Sequence, residues 1–439
     1  MAGIFKAYDI RGVVGETLTT DIATSIGRAF VDFLGARRVV IGRDMRTHSP
    51  DMFEAVAKGV RMQGADVIDV GLCSTPMCYF ANGRLGADGS IMITASHNPG
   101  EWNGMKMCRE AAIPISGPTG IEAIEALVTA QRFAPAATTP GALSTHDVAA
   151  DYAAHIRGFA HFKKPLRLAV DYANAMGIVE ARALRGLYSE EALFDELDGS
   201  FPNHEANPLD VETLESLQHL VRQGGFDFGI AFDGDADRVG FVDERGEVVP
   251  MDLITALIAQ AMLRERKGRI FHDLRSSKAV REVIEEAGGE ALMSRVGHAF
   301  IKQQMREADA LFAGELSGHY YFRENYFAES SALAVVFIGN LVSASGKPLS
   351  ALVEPLRRYA PSGEINSKVA DVGAVFARLR AAYPQARFFE LDGLSAEFDD
   401  WWFNVRASNT EPLVRLNLEA PTAAAMAQRR DEVLSIIRQ

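Results

Sequence analysis

This 439-residue chain has few cysteines, no long apolar run and no excess of positive charge. No stretch approaches the roughly 18 uninterrupted apolar residues of a membrane-spanning helix, and the amino terminus lacks a signal-peptide run. The three cysteines match no common zinc or redox spacing, which favours buried thiols in a reducing compartment. The net charge of -13 argues against nucleic acid or an anionic membrane surface as the main partner. We therefore expect a cytoplasmic protein that uses locally concentrated Arg and Lys for any anionic substrate.

The composition is that of an ordinary globular protein, with 48% hydrophobic and 23% charged residues. The length is too great for one core and predicts about three or four domains. Strand and helix patterns alternate through most of the chain, which predicts α/β domains with mixed, mostly parallel sheets. The tail has three strand-like runs and a closing helix and is expected to be α+β. We expect four domains: residues 1–145, 146–246, 247–357 and 358–439. No sequence repeat is visible, so a shared topology of the first three is inferred from the order of elements alone.

One polar loop in the first domain has the position of a reactive site. Ile91, Met92 and Ile93 end a predicted strand, and Ser96 follows in a loop that Pro99 keeps out of a helix. The carboxyl end of a strand is where α/β folds place their chemistry. The alternative is an ordinary exposed turn, since such residues are common in turns.

An acidic loop follows a predicted strand in the second domain. Asp233, Asp235 and Asp237 alternate along it, so their carboxylates can converge as hard oxygen ligands for Mg²⁺. A calcium loop is the main rival, because Glu244 stands at position 12 of an EF-hand pattern. That pattern requires glycine where this chain has Arg238, and an entering helix instead of a strand. A loop that is merely solvated is the remaining alternative.

The third domain offers a carboxylate, a hydroxyl and an imidazole in one loop: Glu315, Ser317 and His319. The first two side chains are suited to reading vicinal sugar hydroxyls. Lys106 follows the Ser96 loop. Lys106 and His319 could each carry a proton if their surroundings bring the pKa near the operating pH. A simple turn with a surface Glu is the alternative for this loop.

The last domain contains one candidate anion site. A guanidinium, hydroxyls, an amide and backbone donors stand together there, and such a loop can surround a phosphate. Its residues are Arg406, Ser408, Asn409 and Thr410, with Arg415 as a possible second charge. A plain turn is the alternative.

Six motifs in order resemble those of the α-D-phosphohexomutase superfamily, most closely its bacterial phosphomannomutase/phosphoglucomutase branch. The resemblance covers the whole chain. The motifs are residues 8–12 (YDIRG), 94–99 (TASHNP), 103–106 (NGMK), 233–238 (DGDADR), 314–319 (GELSGH) and 406–412 (RASNTEP).

The resemblance implies four domains around a central cleft and a role for each motif. By resemblance, Ser96 carries a phosphoryl group, and the three aspartates hold Mg²⁺ against its phosphate, so that Ser96 is itself a ligand. Arg238 closes the metal loop, Glu315 and Ser317 read sugar hydroxyls, and the loop of the last domain grips the phosphate that does not react. The remaining positions that match the family near the reacting groups or the substrate are Tyr8, Arg11, Lys106, Arg275, His298 and His319.

Three positions depart from the usual family pattern. Leu316 stands where the bifunctional branch usually has Met, a swap that conserves size. Arg275 replaces a frequent Lys, and the two are not equivalent, which leaves its substrate contact open. The stretch 328–331 lacks a common Asp-Gly pair.

The function expected from the resemblance is interconversion of hexose 1- and 6-phosphates, with mannose or glucose as the sugar. It would proceed through a phosphoserine enzyme and a hexose 1,6-bisphosphate intermediate. The alternatives are a phosphoglucosamine mutase, a serine-phosphoenzyme sugar phosphatase and a sugar-phosphate sensor without turnover. The preferred sugar, the general base and the oligomeric state stay open.

Overall fold

A computed structural model describes residues 3–407 and 413–439, which form four sheets with their helices. The first domain has strands β1 (Ile10–Val13), β2 (Arg38–Arg43), β3 (Asp66–Leu72), β4 (Gly89–Ile93), β5 (Trp102–Arg109) and β6 (Leu143–Thr145). Its helices are α1 (Thr20–Leu34), α2 (Ser49–Met62), α3 (Thr75–Leu85) and α4 (Glu122–Ala130). The strand order is β1-β5-β4-β2-β3-β6.

The second domain is built on a five-stranded sheet. Its strands are β7 (Arg167–Asp171), β8 (Ser189–Leu193), β9 (Phe228–Phe232), β10 (Val239–Asp243) and β11 (Val248–Val249). Its helices are α5 (Ala149–Arg157), α6 (Gly177–Glu180) and α7 (Glu215–Arg222). The sequence pattern predicts a longer helix over 177–187. Helix α6 instead ends early and continues as a 3₁₀ turn, and Gly186 reverses the chain with a positive φ of 81°.

The third domain repeats the five-stranded arrangement. Its strands are β12 (Arg269–Asp273), β13 (Glu290–Ser294), β14 (Phe312–Gly314), β15 (Tyr320–Phe322) and β16 (Ala328–Glu329). Its helices are α8 (Met251–Glu265), α9 (Lys278–Glu286), α10 (His298–Glu307), α11 (Ser331–Ser345) and α12 (Leu349–Val353).

The last domain is an antiparallel sheet with two helices, as expected for an α+β unit. Its strands are β17 (Ala360–Pro361), β18 (Ile365–Lys368), β19 (Arg387–Phe389), β20 (Leu394–Glu397), β21 (Trp402–Ala407) and β22 (Leu413–Ala420). Its helices are α13 (Val372–Ala382) and α14 (Ala423–Ile437). The exact domain boundaries stay predictions.

The first three sheets share one topology, which confirms the inference from element order. The second sheet runs β11-β10-β9-β7-β8, and the third runs β16-β15-β14-β12-β13 when read from the corresponding edge. In each, three parallel strands are followed by an antiparallel pair. The first sheet has the same run as β1-β5-β4-β2-β3, with β6 added at the parallel edge. Strands β4, β9 and β14 are therefore equivalent, and each leads into one of the three candidate loops.

The first three domains share one hydrophobic cluster, the first domain has a second cluster of its own, and the last domain has a cluster shared with no other domain. One continuous cluster includes Phe80, Phe228 and Phe312, one residue from each α/β domain. A separate cluster of the last domain is centred on residues such as Phe403 and Leu416. All three cysteines are buried and free, as predicted. The α/β domains therefore form one unit on which the last domain sits.

Among residues 3–407 and 413–439, no single helix is long and apolar enough to cross a membrane. Helix α11 and the segment Leu349–Leu356 are together long and apolar enough, but the two segments are bent by 96° relative to each other. The α11 segment contributes many residues to the shared core, which accounts for its apolar composition.

Candidate active site

The Ser96 loop is buried and is not the exposed turn that the sequence left open. Ser96 follows β4, is 1% exposed and has a left-handed backbone with φ of 54°. Its amide donates to Thr94 Oγ1 at 2.9 Å, and its hydroxyl donates to Asp233 Oδ2 at 3.0 Å. A non-glycine residue in this conformation persists only where its surroundings hold it, as at many functional sites.

The acidic loop lies directly against the serine loop. The carboxylates of Asp233, Asp235 and Asp237 are buried, and one oxygen of each lies within 4.8 Å of the others. A Cβ added to Gly234 would come within 2.0 Å of the Ser96 carbonyl oxygen. Glycine at that position therefore lets the two loops approach closely.

The donor set fits a hard divalent cation. Burial raises the pKa of Asp233 well above its usual value, and the charges of Asp237 and Asp235 raise it further. Asp235 Oδ1 is buried and makes no hydrogen bond within the described chain. Asp237 Oδ1 is likewise buried without a hydrogen bond among the described residues, although His319 Nε2 lies 3.3 Å away. Buried carboxylates with oxygens available in this way are the ligands that Mg²⁺ prefers. The residues present thus fit the metal that the resemblance implies.

The structure excludes the EF-hand alternative. A strand, β9, enters the acidic loop where an EF-hand needs a helix. Both Glu244 carboxylate oxygens bond to Ser350 of the third domain, one of them accepting from its amide at 3.1 Å. Glu244 is therefore committed elsewhere.

Two basic side chains surround the serine and the aspartates. Lys106 on β5 donates to Asp235 Oδ2 at 2.6 Å and also to Asp237 Oδ2. Burial lowers the pKa of Lys106, but these carboxylates outweigh it and raise the pKa above its usual value. Lys106 therefore keeps its charge near neutral pH, and a role as proton carrier stays a prediction. Arg11 Nε donates to Asp9 Oδ2 at 2.7 Å, and its Nη1 donates to Asn98 beside Ser96.

The loop after β14 brings His319 between two carboxylates. His319 Nε2 lies 3.3 Å from Asp237 Oδ1, and its Nδ1 lies 3.2 Å from Glu315 Oε2. Burial lowers the pKa of His319, but Asp237 and Glu315 raise it to about 9. The same contacts outweigh the burial of Glu315 and lower its pKa to about 2. Ser317 Oγ also lies 2.9 Å from His319 Nδ1.

Arg238 connects the acidic loop (residues 233–238) to the loop that follows β14 (residues 314–319). Its amide donates to Asp233 Oδ1 at 3.1 Å, and its Nε lies 3.3 Å from His319 Nε2. An isolated bridge also pairs the backbones of Arg238 and His319. The loops of the second and third domains therefore form one continuous wall.

His298 lies beside this wall at the first residue of α10. Its ring is stacked on His319 with centroids 6.3 Å apart, and Tyr8 meets its edge at 5.5 Å. Burial and nearby cations, Lys302 first, lower the pKa of His298 well below its usual value. His298 is therefore a neutral imidazole next to a charged one.

Asp273, at the end of β12, holds Arg275 next to the loop that follows β14. Its Nη2 donates to Asp273 Oδ2 at 2.7 Å, and the same oxygen accepts from the Leu316 amide at 2.8 Å. Asp273 thus links two of the three positions at which this chain departs from the family pattern.

In the last domain, Arg406 and Arg415 face each other across β21 and β22. Both donate to Glu364, Arg406 to Oε2 at 2.8 Å and Arg415 to Oε1 at 3.2 Å. The Nε atoms of both arginines are buried without a hydrogen bond among the described residues. The other predicted members of this loop, Ser408, Asn409 and Thr410, lie outside the described residues.

Several supporting residues escaped the reasoning from sequence. Asp9, Asp273 and Glu364 each hold a predicted arginine, and Thr75 Oγ1 donates to Asp235 Oδ2 at 2.5 Å. Asp9 and Asp273 stand two residues before the arginines they hold, a spacing that the sequence does show. Nothing local identifies Glu364 or Thr75, because their partners are distant in the chain.

Ser96 lies against the acidic triad with Lys106 and Arg11 beside it, an arrangement suited to phosphoryl transfer. Family models match all four domains: phosphoglucomutase/phosphomannomutase α/β/α domains I (residues 2–135), II (150–246) and III (250–359), and the C-terminal domain (364–436). The chain belongs to the phosphoglucomutase/phosphomannomutase family, within the α-D-phosphohexomutase superfamily of intramolecular phosphotransferases.

Individual relatives match along their whole length. The chain is 42% identical over 441 residues to a protein described as "Phosphohexose mutases" of Xanthomonas campestris pv. campestris, covering 98% of each chain. It is 40% identical over 444 residues to the phosphomannomutase of Escherichia coli K12, covering 98% of this chain and 97% of the relative. A crystal structure of a phosphoglucomutase/phosphomannomutase family protein from Burkholderia thailandensis superimposes with a TM-score of 0.91 at 34% identity, covering 99% of this chain and 96% of that one.

Proposed function

We propose that the protein interconverts hexose 1-phosphate and hexose 6-phosphate, with mannose or glucose as the sugar and Ser96 as the phosphoryl carrier. The observation that carries the proposal is the 3.0 Å contact between the Ser96 hydroxyl and the acidic triad. The relatives support the substrate class, since those at about 40% identity are described as phosphomannomutases or phosphohexose mutases.

The reaction consists of two balanced phosphoryl transfers. The free hydroxyl of the sugar phosphate attacks the phosphorus on Ser96, the Ser96 Oγ–P bond breaks, and a hexose 1,6-bisphosphate forms. The bisphosphate then turns over in the cleft, and Ser96 takes its other phosphoryl group, which leaves the isomeric monophosphate. The hydroxyl proton lost in the first transfer is returned in the second. A serine hydroxyl is a weak nucleophile unless activated, which is why its surroundings matter.

The chain's own residues supply charge and position for these transfers. Asp233, Asp235 and Asp237 would hold Mg²⁺, which neutralises charge on the transferring group when it is bound. Lys106 and Arg11 carry positive charge close to Ser96 and stabilise the phosphoryl oxygens. His319, next to Asp237 and Glu315, is placed to hold a proton near the reacting hydroxyl.

An assay that follows isomerisation and phosphate release together tests the proposal. With glucose 1-phosphate, mannose 1-phosphate and glucosamine 1-phosphate side by side, we expect isomerisation of the first two and little free phosphate. Phosphate release without isomerisation would identify a phosphatase, and binding without turnover would identify a sensor. Preference for glucosamine 1-phosphate would move the protein to the aminosugar mutases.

Replacing Glu315 with glutamine should weaken every hexose substrate alike. Glu315 is 2% exposed and is held by the Gly297 amide at 3.1 Å and the Tyr321 hydroxyl at 2.5 Å, so its carboxylate is fixed for reading O3 and O4. A hydrogen bond to a charged group is worth roughly 1.5–3 kcal/mol, so kcat/KM should fall about ten- to a hundredfold. Steady-state kinetics with both epimers measure this.

Leu316→Met is the matched control for Glu315→Gln, because it changes the neighbouring side chain without changing charge. It should alter the balance between the epimers and leave the sum of their activities near that of the parent. A Glu315→Gln effect confined to one epimer would show that this residue reads O2 instead.

Replacing Arg406 with alanine should impair closure of the last domain over the substrate. This domain has its own core and joins the rest through a short connection, so it can rotate. We propose that the distal phosphate takes the place of Glu364 on Arg406 and holds the domain closed. Since remote binding energy also helps position the reacting end, KM should rise and kcat should fall, lowering kcat/KM at least about tenfold.

Small-angle scattering with and without substrate measures closure directly. The parent should contract on adding glucose 1-phosphate, and Arg406→Ala should contract much less, while Ser96 phosphorylation stays the same in both. Arg430→Ala, which removes a surface arginine from α14 of the same domain, should behave as the parent. Equal contraction of Arg406→Ala and the parent would show that Arg406 is not needed for closure and that its loop is a fixed wall of the substrate site.

A further inference from the structure

Arg46, three residues after the end of β2, has all five of its guanidinium N–H donors occupied. Nε donates to Asp44 Oδ2 at 3.1 Å. The other four bonds go to backbone carbonyls of the serine loop: Nη1 to Pro99 at 2.7 Å and Trp102 at 3.0 Å, and Nη2 to Ser96 at 2.7 Å and Asn98 at 2.6 Å. A guanidinium offers five donors in a fixed planar fork, so this arrangement uses its full capacity.

The guanidinium is sealed from solvent on the side of the second domain. The Arg46 side chain is 0% exposed, and the ring of Phe201 lies over it at 5.1 Å. A Cβ added to Gly199 would stand 2.7 Å from the Arg46 Cα, so the second domain packs tightly here. Asp44 is itself fixed by the Ser49 hydroxyl at 2.5 Å. The arginine is therefore held rigidly on its own side as well as on the loop side.

The distribution of these bonds distinguishes positioning from ordinary core stability. A buried arginine that only stabilises a core needs carboxylate or carbonyl partners, but it has no reason to place four bonds on one loop of seven residues. That loop holds Ser96 in the left-handed region, a backbone conformation that a non-glycine residue keeps only where its surroundings compensate for the strain. The carbonyls of Ser96 and Asn98, on both sides of His97, are fixed by the same Nη2 nitrogen.

We infer that Arg46 is a positioning residue for phosphoryl transfer, which holds the Ser96 loop so that the serine oxygen stays aimed at the acidic triad. The inference rests on the proposed function, since it concerns the placement of the phosphoryl carrier. Arg46 makes no hydrogen bond to the Ser96 hydroxyl oxygen, and its four bonds to the serine loop go to backbone carbonyls only. It therefore acts on the geometry of transfer and not on sugar binding.

Arg46→Lys tests the inference, because lysine keeps the charge but has only three donors on one nitrogen. A displacement of about 1 Å at a reacting group can cost about a hundredfold in rate. We expect kcat to fall at least tenfold while KM for glucose 1-phosphate stays within about threefold. We also expect slower phosphorylation of dephosphorylated enzyme by glucose 1,6-bisphosphate, followed by intact mass.

Arg43→Lys is the matched control, since Arg43 ends the same strand and also makes an ion pair (2.8 Å, to Asp69) and a ring contact (4.3 Å, to Phe53). It should keep the kcat of the parent within about twofold. If Arg46→Lys folds, as judged by thermal unfolding, and retains the parent kcat and phosphorylation rate, the inference is overturned.

Asp44→Asn decides the matter if Arg46→Lys does not fold. Among the five guanidinium bonds it weakens only that of Nε, so a smaller fall in kcat with unchanged KM supports the inference, and an unchanged kcat overturns it. Failure of the proposed function is separable. A parent without phosphoserine and without isomerisation refutes the function itself, whereas an active phosphorylated parent with an equally active Arg46→Lys variant refutes only the role of Arg46.

Discussion

Alanine at position 96 should abolish isomerase activity while the fold survives. The Ser96 hydroxyl makes one hydrogen bond to Asp233 and a longer contact of 3.3 Å to His97, so its loss leaves no large cavity. The unusual backbone at this residue depends on the loop and its carbonyl bonds, which alanine retains. No other described hydroxyl donates to Asp233, so none can take over as carrier.

The measurement combines kinetics with intact mass. Part of the purified parent should be about 80 Da heavier than the sequence mass, the increment of one phosphoryl group on serine, and the Ser96→Ala protein should lack this species. Thermal unfolding should be similar for the two proteins. Ser343→Ala, which alters a buried serine on α11 away from the site, should keep both activity and the heavier species.

Each alternative to a mutase has its own signature in this experiment. A serine-phosphoenzyme phosphatase would lose phosphate release with Ser96→Ala, although the parent would show little isomerisation. A sensor would bind sugar phosphate equally well with and without the hydroxyl. Full isomerase activity in Ser96→Ala would contradict the assignment of the carrier.

Reasoning from sequence located the reactive loops because each follows a short apolar strand. The sequence predicts that Ile91, Met92 and Ile93 end a strand, and β4 ends at Ile93. Such strands are buried on both faces and read as continuous apolar runs bounded by polar residues. The six motifs could also be recognised from the sequence, because each is contiguous in the chain.

The geometry between the loops could not be predicted in that way. The equivalence of β4, β9 and β14 has no counterpart in residue identity, because the repeated topology is carried by unlike side chains. The partner of Arg406 is Glu364, forty-two positions away, and only the pairing of β18 and β21 with β22 brings them together. His298 was found by resemblance alone, as its role depends on stacking with His319.

Proton carriers were the weakest part of the sequence reasoning, because charge depends on neighbours. The sequence predicts Lys106 and His319 as proton carriers if their pKa values lie near the operating pH. In the structure, both side chains lie among carboxylates that raise their pKa values and favour their charged forms. His298, predicted only as a position near the reacting groups, is the imidazole that stays neutral. Burial and contacts across domains decide these states, and neither is visible in a local motif.

Asparagine at position 235 should raise the Mg²⁺ requirement and slow turnover more than any other single change in the acidic loop that preserves its shape. Asp235 Oδ2 is engaged by Thr75 and Lys106, whereas Oδ1 is buried without a partner and is free for a cation. The substitution removes one negative charge from a hard-cation site. Mutation of a residue that only supports a metal ligand lowers metal affinity or activity about 10–100-fold, so mutation of a direct ligand should lower it at least as much.

Titration of activity against Mg²⁺ after removal of divalent ions measures this effect, and calorimetric titration of Mg²⁺ binding provides a readout independent of turnover. Glu244→Gln is the matched control, because Glu244 is the acidic residue that a calcium loop would require and the structure commits it to Ser350. It should leave the Mg²⁺ dependence unchanged. A normal Mg²⁺ requirement and normal turnover in Asp235→Asn would mean that Asp235 is not a metal ligand and only pairs with Thr75 and Lys106.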